Sequence, residues 1–456
     1  MVLATFSQKV FKTVKLALPI IIGQLGIMLM GLADTIQVGR MKFLAAESLG
    51  ASGMAGSIFF TIAVVGLICM NIVSPMMSKA AAEGDLPECG NLLRASLRVA
   101  LFLAVITIVI LGIIGLNYDL FGQTAINKKL TLPFLALITA SVIPIFIFSA
   151  LKTLTDGLQN TRIAMTITLI ALLLNVLWNS ILINGYGPIP ALGLMGAGIA
   201  TLMARIFMAA SLAIYIFTRK EFKPYLAKVH EHHTPWILEK TILRVGVPSG
   251  FQGFFEIATF GMAVVMMGWI SITSQAAHIV AINMASLTYM AATGIAAAGG
   301  ILVGEDIGNK SKPGIYVSGN AALFLSLVFM GICALVMFFG REFFVTSYTK
   351  EIAVVTIAVQ LVIWGAVFQL FDGVQAVSLG LLRGLQDVKI PTFITIFSYW
   401  GVGIPLSYYL GIYEGQGAEG IWIGLTASLI CSSILLTWRF YVRTNGIDLD
   451  ALKVED

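Results

Sequence analysis

The chain has 456 residues, of which 58% are hydrophobic and only 11% charged, with a mean hydropathy of +0.93. Apolar runs follow one another almost without pause, more than any soluble core could bury, which excludes a water-soluble globular protein and predicts a polytopic membrane protein. The net charge of +5 comes without a basic cluster interleaved with aromatics, so no nucleic-acid partner is expected.

Lys9, Lys12 and Lys15 lead directly into the first apolar run. That run is too long for a signal-peptide core and has no small-residue cleavage site, so it reads as a first spanning helix. Runs of 18 or more mostly apolar residues are spanning candidates. They fall near Val14 to Val38, Leu49 to Met77, Leu92 to Leu116, Leu130 to Leu154, Ile163 to Ile183 and Leu192 to Phe217. Six more fall near Ile242 to Ile270, Ala276 to Val303, Ile315 to Phe339, Ile352 to Leu382, Ile390 to Ile412 and Gly420 to Tyr441. The predicted fold class is an all-α polytopic membrane protein with twelve transmembrane helices. Cys69, Cys333 and Cys431 lie in apolar runs and Cys89 in a loop, which gives neither a disulfide framework nor a metal-ligand spacing.

Placing both termini in the cytoplasm leaves only Arg40, Lys42, Lys128, Lys129, Arg341 and Lys350 on the opposite side, with the other basic residues inside. That asymmetry sets the expected orientation. The longest linker is then cytoplasmic and holds His230, His232 and His233, read as a solvated segment because no Cys or acidic ligands accompany them. The expected organisation is an N-terminal six-helix lobe over 1–217, a linker over 218–241, a C-terminal six-helix lobe over 242–441 and a cytoplasmic tail over 442–456.

The two halves repeat each other. Pro19 matches Pro248, Gly39 matches Gly268, GLQNTR at Gly157 to Arg162 matches GLQDVK at Gly384 to Lys389, and Gly193, Gly196 and Ile199 match Gly417, Gly420 and Ile423. Repeats with an even number of spans point the same way across the bilayer, which predicts two pseudo-symmetric six-helix lobes meeting at a cleft suited to alternating access. Most of the 45 glycines then serve close helix packing.

Few ionisable residues lie inside the spans. Asp372 is flanked at i−3 and i+3 by Gln369 and Gln375, on one helical face. It lies roughly 16 Å along the helix from Arg383, about half the hydrocarbon thickness. A charge so deep is a functional-site hypothesis by default. Glu256 follows Gln252 by four residues and reaches a similar depth, so the two acids could hold a small cation or a proton between them. In the first half, Asp34 lies six residues before Arg40, and Asn175 and Asn179 are spaced i, i+4, making a second acidic site when combined. Arg205, mid-span, needs a partner and reads equally as a structural counter-ion or a substrate-linked group. Methionines such as Met28, Met266 and Met284 offer soft surfaces for varied ligands or simple core filling. There is no phosphate loop, zinc helix or nucleophile elbow, so an ion gradient is the expected energy source and the chain reads as a secondary transporter, not an enzyme.

LALPIIIGQLGIMLMGLADTIQVGR in the first helix, GFFEIATF around Glu256, AAHIVAINMASLTYM in the eighth and QLFDGVQAVSLGLLRGLQD in the tenth together resemble the MATE family, multidrug and toxic compound extrusion, in its NorM-like bacterial branch. The resemblance covers essentially the whole chain. It implies a twelve-helix transporter of the bacterial inner membrane that exchanges organic cations such as drugs and dyes for inward Na⁺ or H⁺, without a cofactor. It carries Glu256 and Asp372 onto the C-lobe cation-binding acids, and Asp34 with Asn175 and Asn179 onto the N-lobe acid and its partners. Na⁺ could sit at any of the three acids. Gln24, Gln252, Phe368, Gln369, Gln375, Asn283 and Arg205 become supporting or cleft residues. One departure concerns Phe368, which stands one turn before Asp372 where some Na⁺-coupled relatives carry a tyrosine oxygen. Membrane lipid is the expected surround and a monomer the expected state. The alternative is a flippase of the same wider superfamily for a lipid-linked oligosaccharide, which would place several cations in the cleft to meet phosphates. A membrane enzyme or a channel would need motifs or a charge ring that the sequence lacks.

Overall fold

The computed structural model describes residues 2–41, 43–227 and 236–449. Among the described residues, twelve helices are long and apolar enough to cross a membrane. They are α1 (Thr5–Gly39), α2 (Ala45–Glu83), α3 (Leu86–Leu116), α4 (Ala125–Gly157), α5 (Thr161–Asn184) and α6 (Leu194–Thr218), then α7 (Ile237–Ile270), α8 (Ile272–Gly308), α9 (Lys312–Tyr348), α10 (Ile352–Gly384), α11 (Lys389–Tyr413) and α12 (Gly417–Asn445). No strand forms among the described residues. The protein is thus an all-α polytopic membrane protein with twelve transmembrane helices. Several helices extend beyond the apolar runs because charged residues that depress hydropathy are paired on the helix ends. At the start of α7, Arg98 donates to Glu239 Oε1 at 3.0 Å, and at the start of α1, Lys9 and Lys12 reach Asp306 and Glu305 at 2.6 Å. Lys42, Lys228, His230, His232 and His233 lie outside the described residues, as does the tail beyond 449.

Two compact units form. One comprises Ile22–Gly250, the other Met1–Ile21 together with Phe251–Asp456. Each boundary falls inside a helix, α1 or α7, so the opening segment of each repeat packs in the unit built by the other. In the second unit, Leu16, Ala17 and Ile20 join a core with Ile295, Ala298 and Leu302, and a Cβ added at Gly294 would stand 2.3 Å from Ile21 Cγ1. In the first unit, a Cβ at Gly250 would stand 2.3 Å from Val65 O. These two contacts are repeat-equivalent, since both pairs of positions differ by 229 residues.

The repeat also shows in backbone detail. Gln159 and Gln386, equivalent in GLQNTR and GLQDVK, both take left-handed φ, at 62° and 57°. Gly193 and Gly417 do the same, at 57° and 65°. The matched Gly196 and Gly420 each let the last helix of a unit lie directly on its predecessor, on Leu182 and Leu410 respectively. Small residues permit such approach where lipid tails offer no drive for helix association. The closest approach is at Gly380 of α10, where a Cβ would stand 2.2 Å from the carbonyl oxygen of Ala296 on α8. Backbone cannot yield as a side chain does, and overpacking costs about 1–3 kcal/mol or more. Gly380→Val is therefore expected to remove the monodisperse species in detergent chromatography; a wild-type elution profile would contradict this packing.

Three helices are irregular. α2 is interrupted at Asn71–Ile72 and α4 at Ser141, and α11 contains π-helical turns at Phe397–Gly403 and Tyr409–Tyr413. Such π turns commonly sit at functional sites, and here the first one carries Tyr399.

Candidate functional site

In the first unit α1 carries Asp34, α5 carries Asn175 and Asn179 one turn apart, and α6 carries Thr201. Asn179 Nδ2 donates to Asp34 Oδ1 at 2.5 Å, Thr201 Oγ1 donates to Asp34 Oδ2 at 2.8 Å, and Asn179 Nδ2 also faces Asn175 Oδ1 at 3.4 Å. Both asparagines are fully buried, and Asn179 Oδ1 has no hydrogen-bond partner. An acid with two donors and a spare buried acceptor is poised to bind a cationic or proton-donating guest. The three residues expected here from sequence are together. Thr201 does not stand out in the sequence, because a threonine in an apolar run reads as filler; its position four residues before Arg205 on one helical face is the available signal.

Arg205 Nη1 donates to Ser141 Oγ at 2.6 Å, at the interruption of α4, and its guanidinium lies 4.7 Å from the Phe59 ring centroid. Asp34 is its electrostatic counterpart. The cation expected to need a partner thus has three. Gln24 is half-buried on α1, ten residues before Asp34 or about 15 Å along the helix.

The second unit gathers a larger network. Glu256 on α7 is 7% exposed and Asp372 on α10 is 4% exposed, and the two interact electrostatically. Glu256 Oε1 stands 3.3 Å from Tyr289 OH on α8, 3.4 Å from Gln375 Nε2 on α10 and 3.5 Å from Tyr399 OH on α11. Tyr399 OH lies between both ends of the Gln375 amide, at 3.0 Å from Nε2 and 3.1 Å from Oε1. Gln369, also fully buried, accepts from Thr288 Oγ1 at 2.8 Å and leaves its Nε2 without a partner. Arg383 is close enough to act electrostatically on both Glu256 and Tyr289. Low dielectric strengthens such a network when it is satisfied and makes each unpaired member costly.

Phe368 is 2% exposed and packs against Phe260 and Trp422, with ring centroids 6.0 and 5.6 Å away. Gln252 is buried one turn before Glu256. Asn283, on the other hand, is exposed on α8 and is not drawn into the buried network. Tyr289, Tyr399 and Arg383 are site members that the sequence does not single out. The tyrosines sit in aromatic-rich apolar runs without a spacing signal, and Arg383 reads only as the mark of a helix end. Of the soft residues, Met266, Met267 and Met284 fill the core of this unit.

The framework repeats between units, yet the chemistry does not. The position matching Asp34 at an offset of 229 is Ala263, and that matching Glu256 is Ile27. Each unit therefore embeds its own carboxylate site in apolar helices, the arrangement of a polytopic membrane transport protein built from repeats. A family model described as MatE matches residues 19–181 and again 248–409, once in each half, and the chain belongs to the MatE family, whose members are transporters rather than enzymes. Over 434 residues it is 30% identical to a probable multidrug resistance protein NorM of Idiomarina loihiensis, covering 94% of this chain and 93% of that protein. It is 28% identical over 443 residues to the multidrug resistance protein NorM of Vibrio vulnificus, covering 96% of each. Its fold is similar to that of the eukaryotic MATE transporter AtDTX14, with a TM-score of 0.85 at 17% identity, over 97% of this chain and 98% of that one.

Proposed function

We propose that the protein exports organic cations across a bacterial plasma membrane in exchange for an inward cation, and that this cation is H⁺ rather than Na⁺. The export reading rests on the relatives named multidrug resistance proteins and on the carboxylates Asp34, Glu256 and Asp372 set within the helices of the two units, with Arg205 already engaged by Ser141 and Phe59. The proton reading rests on the setting of Glu256. Its Oε1 is already engaged by three donating groups, so a Na⁺ cage there would have to turn the hydroxyls of Tyr289 and Tyr399 from donors into ligands, and Phe368 contributes only hydrocarbon. Glu256 and Asp372 interact electrostatically, so gain or loss of one proton changes the net charge of the buried network that joins α7, α8, α10 and α11. Binding of the proton and of the drug would then favour opposite conformations, which gives exchange. The basic-residue asymmetry supports cytoplasmic termini. A monomer surrounded by lipid, with no cofactor, completes the proposal.

A phosphate-bearing flippase substrate fits less well. Arg205, the mid-span cation of the first unit, is already held by Ser141 and Phe59. Ethidium export from loaded, energised cells tests the function. Faster loss of dye on expression supports export, and dye retention identical to that of cells lacking the protein removes it.

The role of residue 368 has its own test. Phe368→Tyr adds a hydroxyl one turn before Asp372, at a cost of about 1–3 kcal/mol if it stays unsatisfied in the aromatic core. The variant is expected to gain Na⁺-stimulated efflux that the parent lacks. A parent already stimulated by Na⁺, with no gain in the variant, would contradict the importance given to this position.

A further inference from the structure

The first unit contains a cavity of about 490 Å³ that involves none of the residues around Asp34. It lies where α1 ends, α2 and α4 begin, α5 ends and α6 begins, so it sits at one end of the helices instead of inside the bundle. Its size is that of a small-molecule pocket. The walls are mostly apolar, with Met41, Phe43, Leu44 and Leu192 among them, and Phe43 is 81% exposed.

Three polar side chains interrupt the apolar lining, Lys129, Ser48 and Asn184, the last with its Nδ2 facing Ser180 O at 3.5 Å. Among the described residues that line the cavity, Lys129 is the only charged side chain. The adjacent Lys128 is bound to Asp119 at 2.5 Å, but Lys129 is exposed and makes no ion pair among the described residues. Ser48, in the first turn of α2, also lines the cavity; it is 1% exposed and its Oγ has no hydrogen-bond partner. A buried hydroxyl without a partner is costly and calls for a polar guest atom.

The backbone around the cavity is held in a defined shape. Leu44 takes φ 53°, outside the range comfortable for a residue with a side chain. The loop between α5 and α6 folds back through Leu192 N to Leu182 O at 2.9 Å and Gly193 N to Ile183 O at 3.2 Å. Gly193, at φ 57°, leaves room for Met41, whose Cε would be 3.2 Å from a Cβ there.

We infer that this cavity binds a single-chain anionic amphiphile. The alkyl chain lies along the apolar wall, the carboxylate or phosphate head meets the Lys129 ammonium, and Ser48 Oγ donates to a polar atom of the head. Its charge preference is opposite to that of the proposed transported cations, so it is a separate site and does not rest on the transport reading. A charge-assisted contact at a helix end suits a lysine whose stem lies on apolar surface and whose ammonium remains near water.

The test is equilibrium binding of radiolabelled dodecanoate, dodecyl phosphate and dodecanol to the full chain in non-ionic detergent. Saturable binding of about one equivalent of either anion is expected. Lys129→Gln should weaken anion binding about tenfold and leave dodecanol unchanged. Ala191→Trp, which fills the cavity, should remove all three ligands. Because Lys129 is exposed, Lys129→Gln should elute as the parent protein does, which separates lost binding from lost folding. No saturable binding of either anion, or equal anion affinity in Lys129→Gln, would overturn the inference.

Discussion

Asp372→Asn is expected to abolish efflux while leaving expression and chromatographic behaviour intact. Asparagine has the same size and retains an acceptor oxygen, so the 4% exposed site stays filled. What disappears is a group that can carry charge or a proton beside Glu256. If exchange depends on that group, the residual rate should lie at the background of protein-free vesicles. Efflux by Asp372→Asn at the parental rate would sink the assignment. Reduced protein yield with a normal rate per molecule would instead assign Asp372 to folding alone.

Glu256→Gln should uncouple transport from the driving gradient. The glutamine can still accept hydrogen bonds from Tyr289, Gln375 and Tyr399, so the network that joins α7, α8, α10 and α11 keeps its geometry. Only the titratable charge is removed. Ethidium binding to the purified variant should therefore persist, while gradient-driven efflux falls by on the order of 100-fold, the upper range of a typical coupling free energy. The two measurements separate the roles. Loss of both binding and efflux would place Glu256 in the substrate site, and retention of both would remove it from the mechanism.

The twelve spans are legible in the sequence because apolar runs of that length have little place outside a bilayer, and the acids because a carboxylate inside such a run is costly. GLQNTR and GLQDVK disclose the repeat, and their glutamines share the same left-handed backbone in the structure. Tyr289, Tyr399 and Thr201 are not legible, since a hydroxyl in an apolar run acquires meaning only from what packs opposite it. Tyr399 reaches Glu256 from within a π turn, across 143 positions of sequence. The unit boundaries at Ile21 and Gly250 each lie two residues after an in-helix proline, Pro19 or Pro248, but α1 and α7 run through them unbroken, so the prolines read as a repeat match and not as boundaries. Phe368 is readable as a residue without an oxygen, but its aromatic packing with Phe260 and Trp422 is not.

The most direct test uses purified protein in proteoliposomes loaded with ethidium, with Na⁺ and pH gradients imposed separately at fixed membrane potential. Proton coupling predicts that a pH gradient alone drives dye movement, and that Asp372→Asn and Glu256→Gln both lose it. Dye movement driven by a Na⁺ gradient alone, with none from a pH gradient, would contradict the proton assignment and make Glu256 and Asp372 an ion site despite Phe368.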